Sequence, residues 1–265
     1  MIDAINAKSV SGPRGLDLLK TLVGYYRNPL DALAKVAQQH GDISLLKVAS
    51  YTVYQITQPD HIKHVLQDNN RNYRMAGAFS QTRPVVGHGL TTSEGESWLM
   101  HRRLMQPLFG RGQVAVFAPL IAQATTSMLE RWRENAASGR PVNLYPQLLA
   151  LNHYILGKMI FNVDVMGEDA PILAALSNVR DYTNRRINAL VTVPTRWPTP
   201  RNRRFWQSVA LLDEFAYRRI RAARKADQPG GDLLSLLMHV RDEKTGVGLS
   251  DEERHDELMT LFFAA

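Results

Sequence analysis

The chain has 265 residues, 45% of them hydrophobic and 22% charged, with a net charge of +7 and a sequence pI of about 9.7. That is ordinary globular material able to bury a core, and the absence of cysteine excludes disulfides, zinc–thiolate sites, iron–sulfur clusters and cysteine nucleophiles from these residues. No apolar run reaches the ~18 residues of a membrane span, and Asp17 and Lys20 break the longest apolar patch near the N-terminus, so the expected location is cytoplasmic.

Gly12-Pro13-Arg14-Gly15 reads as an irregular opening segment. Asn28 caps a helix that has Pro29 at its first position and ends at Gly41. β-Branched and apolar residues at 43–48 and 52–56, with a short polar link between them, predict a hairpin. Asp60 is expected to cap a short helix carrying Ile62, Val65 and Leu66, and residues 69–87 read as a long connection.

Residues 87–109, GHGLTTSEGESWLMHRRLMQPLF, are the most informative stretch. Ser93 and Glu96 have the spacing of a capping box, and a run of good helix formers follows as far as Gln106, before Pro107. Trp98 and Arg102 are four residues apart, so they lie only ~40° apart around the helix axis. His101 and Met105 fall on the same side, while Arg103 is turned ~140° from Trp98 by the same arithmetic and is expected to have another partner. An indole N–H and a planar guanidinium on one face make a clamp for a carboxylate. The same pattern also describes a buried Trp with an Arg snorkelling past it.

Long helices are predicted over 117–137 and 144–161, the latter with Leu148, Leu151, Ile155 and Met159 as its buried face. Residues 173–191 make another helix, and 193–204 a proline- and arginine-rich surface connection. Residues 205–226 form an amphipathic helix with Phe205, Val209, Leu212, Ala216 and Ile220 on one side and a basic C-terminal end suited to the helix dipole. Gly230-Gly231-Asp232 opens a short helix, and Ser250 and Glu253 make a second capping box. The helix that follows reaches Ala265 with no Gly, Asn or Pro to close it, and its apolar Leu261, Phe262 and Phe263 are expected to be left exposed. No zincin pattern, Walker loop, nucleophile elbow or Gly-x-Gly-x-x-Gly fingerprint occurs, and Gly87 and Gly89 are only a weak likeness to a phosphate loop. No metal-ligand set is read from the residues, and the acidic pairs Asp213-Glu214 and Asp242-Glu243 read as solvated faces.

Gly89-Leu90, Gly95, Trp98-x-x-x-Arg102-Arg103 and Pro107-Leu108-Phe109 resemble the C-helix region of the cytochromes P450, the haem–thiolate monooxygenases. The resemblance runs along nearly the whole chain. Residues 28–40 are similar to the family's A helix, the hairpin to its first sheet and 60–68 to its B helix. Pro198-Thr199-Pro200-Arg201-Asn202 resembles the end of the F–G connection in a bacterial branch, and 251–265 the start of the distal I helix.

The fold this implies is mainly α with a small N-terminal β-sheet: a cytochrome P450 fold, truncated before its proximal half, as a single incomplete domain over residues 1–265. The implied cofactor is haem b. Trp98 and Arg102 would each donate to a haem propionate, with His101 a further candidate that its neighbours could equally enclose as core. Leu90 and Thr91 would face the substrate from the B–C loop. Ala264 and Ala265 would be the first two positions of the distal Ala-Gly-x-Glu-Thr-Thr element, Ala265 standing where glycine is usual. The implied activity is O₂ activation and hydroxylation of a small apolar organic substrate, with electrons from a ferredoxin- or flavin-type reductase. The distal threonine, the Glu-x-x-Arg helix and the cysteine that ligates the iron are missing, so these residues alone are expected to be inactive. The competing expectation is a non-enzymatic basic helical module whose 201–225 segment binds nucleic acid or another anionic surface; under the family reading no nucleic-acid partner is expected.

Overall fold

The computed structural model describes residues 10–48, 51–75, 77–167, 169–187, 189, 193–226, 230–242 and 245–264. Its contacts divide the chain into two compact units, Met1–Arg74 and Met75–Ala265.

In the first unit, helix α1 (Gly15–Arg27) precedes α2 (Pro29–His40), and Asn28 alone separates them. The Asn28 side-chain oxygen accepts the Asp31 N–H at 3.3 Å, and Pro29 takes the first helical position, where its missing N–H costs nothing. Gly41 closes α2 at φ 88°, a conformation that favours glycine. Strands β1 (Ile43–Val48) and β2 (Tyr51–Ile56) form the expected antiparallel hairpin, with Ile43 opposite Ile56. Residues 12–14 are irregular as expected, and the helix that follows them, α1, had no counterpart among the sequence-based expectations. One expectation is corrected: α3 (Pro59–Lys63) starts after Gln58, leaving Asp60 in the first turn without a capping bond. Proline again takes the first position and moves the cap upstream of it.

The second unit contains α4 (Arg83–Val86), α5 (Gly95–Met105), α6 (Arg111–Val116), α7 (Ala118–Ala137), α8 (Leu144–Phe161), α9 (Ala170–Ile187), α10 (Pro200–Lys225), α11 (Leu233–His239) and α12 (Asp251–Ala264). Its core joins Ile160 and Phe161 of α8, Leu176 and Val179 of α9, Leu258, Met259 and Phe262 of α12, and the face of α10. That face is the predicted one, with Phe205, Val209, Leu212, Ala216 and Ile220 all buried. Burying each large side chain of such a face contributes about 2 kcal/mol. Helix α10 starts at Pro200, not 205, because Thr199 Oγ1 caps it by accepting the Asn202 N–H at 3.1 Å.

Helix α8 has the predicted bounds but a different buried face. His153, Gly157, Ile160 and Phe161 are buried, Leu148 is 48% exposed, and Leu151, Ile155 and Met159 are half-buried. Apolar residues occur all round this helix, so spacing alone does not choose a side. Gly157 helps to choose it, since a Cβ there would lie 2.8 Å from a Val165 methyl. The apolar end of α12 is likewise folded inward: Phe262 is fully buried and meets the Phe161 ring edge-on at 5.6 Å between centroids. Leu261 and Phe263 are half-buried against the same core.

Candidate functional site

The site is built where the loop after α4 meets α12. Ser250 and Glu253 open α12 as a reciprocal box: Ser250 N–H donates to Glu253 Oε2 at 2.7 Å, and Glu253 N–H to Ser250 Oγ at 3.2 Å. One face of α12 then receives the loop of residues 87–92 at unusually short range. A Cβ on Gly87, whose φ is 53°, would lie 2.0 Å from Asp256 Oδ1, and one on Gly89 would lie 2.4 Å from Thr260 Oγ1. These glycines therefore serve backbone-to-helix approach, not a phosphate. The loop is fastened by His88 N–H donating to Asp256 Oδ2 at 2.7 Å and by Thr92 Oγ1 donating to Gly87 O at 2.7 Å.

This loop overrides the expected Ser93 cap. Helix α5 starts at Gly95, with Glu94 as the flanking residue, and the buried Ser93 Oγ has no partner among the described residues. The Ser93 N–H is used to close a turn onto Gly89 O, and Glu94 Oε1 accepts the Met75 N–H at 2.6 Å.

On α5, His101, Leu104 and Met105 face the core, while Trp98 is 40% exposed and Arg102 is exposed. The side chains of Trp98 and Arg102 have no polar partner among the described residues. Two neighbouring donors left unused on one helix turn fit a ligand carboxylate, the acidic group a haem propionate would present. Arg103 does turn elsewhere: its Nε donates to Asp242 Oδ2 at 3.1 Å, and Asp242 is only 5% exposed. The reading of Asp242 as a solvated acid is thus corrected.

His101 Nδ1 lies 2.7 Å from Glu257 Oε1, an ion-pair distance without the in-line geometry of a hydrogen bond, and Glu257 is wholly buried. This contact raises the His101 pKa against the lowering effect of burial, which favours an imidazolium. Its Nε2 has no partner among the described residues.

A second buried cluster was not legible in the sequence. His255 Nε2 sits 3.0 Å from Asp213 Oδ1 of α10, and its Nδ1 is 3.0 Å from Asp256 Oδ1. The ring stacks on Tyr217 at 4.6 Å with an 11° interplanar angle. Burial alone would lower this imidazole, but the hydrogen bonds and charges of Asp213 and Asp256 outweigh it and lift its pKa from 6.5 to about 9. The available signal was depth within the helix. Asp256 and Glu257 follow the first turn of α12, where the dipole no longer accounts for an acid, so each demands a partner.

Of the other sequence-derived positions, Leu90 is half-buried, Thr91 is exposed, and Ala264 is exposed at the end of α12. Ala265 lies outside the described residues. The basic end of α10 is partly spent within the chain: Arg218 and Arg219 pair with Asp169 at 2.9 and 2.5 Å, and Arg224 pairs with Asp251.

The family model described as Cytochrome P450 matches residues 10–265. Among curated relatives, the chain is 28% identical over 257 residues to cyclooctat-9-en-7-ol 5-monooxygenase of Streptomyces melanosporofaciens, covering 96% of the chain and 54% of the relative. It is 30% identical over 255 residues to cyclooctatin synthase of the same organism, covering 95% of the chain and 54% of the relative. The crystal structure of the cytochrome P450DA heme domain superposes with a TM-score of 0.75 at 22% identity, covering 91% of this chain and 53% of that one, a likeness of fold. The chain thus spans about half the length of the curated relatives it matches. Among the described residues, no helix is long and apolar enough to cross a membrane.

Proposed function

The chain belongs to the cytochrome P450 family, and from that premise we propose that it supplies the distal side of a haem-dependent monooxygenase that hydroxylates a small apolar organic substrate. The observation that carries the reading is the pair of donors, Trp98 Nε1–H and the Arg102 guanidinium, that have no polar partner among the described residues and share one turn of a helix inside the matched region. Haem b, when bound, supplies the redox iron chemistry that activates O₂. Trp98 and Arg102 would hold its propionates, and His101, whose pKa the Glu257 contact raises, would be a weaker third donor through Nε2. Leu90 and Thr91 limit the substrate side, and Ala264 supplies a small residue at the end of α12, with Ala265 following it in the sequence as the second position of the distal element. Both compact units are read as parts of one haem domain, working in the cytoplasm with a ferredoxin- or flavin-type electron donor. The oxygenase names of the relatives support the reaction class.

With no cysteine in the chain, a haem held here takes no thiolate from these 265 residues, and hydroxylation by them alone is not expected. The test is a haem titration of the chain with a carbon-monoxide difference spectrum. Haem uptake weakened in Trp98→Phe and Arg102→Ala, with no thiolate-type carbonyl band, is expected. Uptake indifferent to both substitutions overturns the cradle, and a normal thiolate band overturns the statement about activity. The competing nucleic-acid reading has less support, because Arg218, Arg219 and Arg224 are engaged by Asp169 and Asp251. Nucleic-acid binding that weakens steeply with salt would restore it.

A further inference from the structure

Three elements converge on the buried pair His255–Asp256. From α10 come Asp213, which receives His255 Nε2, and Tyr217, which stacks on the imidazole ring. From α12 comes Asp256 itself, its Oδ1 on His255 Nδ1. From the loop of residues 87–92 comes the His88 N–H, on the other Asp256 oxygen. One carboxylate therefore ties a loop backbone to a histidine that is tied in turn to another helix. The loop has little freedom to sit elsewhere, because Gly87 lies against that carboxylate and Gly89 against Thr260.

We propose that Asp256 is a positioning residue, oriented by the Asp213–His255 pair, that sets the distance of residues 87–92 from α12 and so the placement of Leu90 and Thr91. The consequence for substrate fit rests on the functional reading above; the structural link itself does not. Asp256 has a carboxylate rather than an amide for a physical reason. It must accept from two donors on different oxygens, a backbone N–H and an imidazole N–H, and a carboxylate offers acceptors on both. His255 must in turn donate from both ring nitrogens, so the relay is complete only with an imidazolium. Movement of α10 relative to α12 then reaches the loop through three side chains, Asp213, His255 and Asp256.

Hydrogen exchange read by mass spectrometry tests the link in the 265-residue chain without haem, so its outcome is independent of the cofactor reading. Asp256→Ala is expected to speed exchange of the peptide carrying residues 85–93 by about tenfold, the size set by one charge-assisted hydrogen bond. His255→Phe keeps the ring against Tyr217 but removes both donors, and it is expected to speed the same peptide several-fold; Asp213→Asn acts in the same direction and less. Peptides of α7 report on global folding. An unchanged loop peptide in Asp256→Ala, with α7 still protected, overturns the loop link. If Asp256→Ala fails to protect α7, the His255→Phe chain decides: loop exchange equal to the unmodified chain overturns the proposal, and faster loop exchange with α7 intact supports it. Trp98 and Arg102 variants are expected to leave the loop peptide unchanged, which separates this result from any failure of haem binding.

Discussion

His101 Nδ1 of α5 stands 2.7 Å from Glu257 Oε1 of α12, with the side chains 4% and 0% exposed. The pair pins the helix that carries Trp98 and Arg102 to the helix that carries Ala264, at a place where neither charge reaches water. Removing one partner of such a pair leaves the other buried and uncompensated, which costs about 3–5 kcal/mol. Glu257→Ala is expected to lower urea-unfolding stability by roughly that amount. The double replacement His101→Phe with Glu257→Leu is expected to recover much of it, because no charge is then left in the core. Equal losses in the single and double variants would refute the pairing.

The His101 pKa is raised in the fold by Glu257 over the opposing effect of burial, so its contribution has a defined sign. It is fully present below the ordinary value of 6.5 and is lost as pH rises through the elevated one. The coupling energy between His101 and Glu257, from a double-mutant cycle, is therefore expected to shrink toward alkaline pH. Coupling that strengthens with rising pH has the wrong sign.

His255 gives a wider window. The groups facing it are Asp213 and Tyr217 of α10 and Asp256 of α12. With its pKa lifted from 6.5 to about 9, its contribution is complete below 6.5 and gone above about 9. Linkage bounds that contribution at about 3 kcal/mol. The bound is discounted because the Asp213 side chain is 39% exposed and solvent screens it. The stability lost in His255→Gln, measured by urea unfolding across this range, is expected to fall as pH increases.

Gly87 and Gly112 separate two roles of glycine. An alanine at residue 87 must adopt φ 53° and meets the Asp256 carboxylate, so Gly87→Ala is expected to cost about 2 kcal/mol or more. Gly112 lies in α6, where a Cβ would have open space for 4 Å around it, and Gly112→Ala is expected to stabilise by about 0.5–1 kcal/mol. Urea midpoints of the two variants moving in the same direction would contradict the close approach of the loop to α12.

Trp98→Phe and Arg102→Lys change exposed side chains, so folding stability is expected to stay within about 0.5 kcal/mol of the unmodified chain. Haem affinity is expected to fall about tenfold or more in each, since a hydrogen bond to a charged group contributes about 1.5–3 kcal/mol. Loss of stability without loss of affinity would make these residues structural.

Local signals carried much of the way. The Asn28 and Ser250 caps, the hairpin, the bounds of α8, and the buried face of α10 all follow from interactions within a few residues, and they form as expected. The Ser93 cap failed because its competitor, the seating of residues 87–92 on Asp256, lies far away in the chain. Asp213 and Asp242 looked like surface acids because their partners, His255 and Arg103, belong to other elements.

Sequence by itself determined the helical class, the order of elements and the placement of Trp98 and Arg102 on one turn, because helix periodicity and capping are short-range and each residue answers to its near neighbours. Tertiary structure alone decided which face of α8 is buried, that Phe262 turns into the core, and that Glu257 and Asp256 become the buried partners of His101 and His255. Those outcomes depend on which surfaces meet, and a buried charge declares its partner only when the chain has brought the two together.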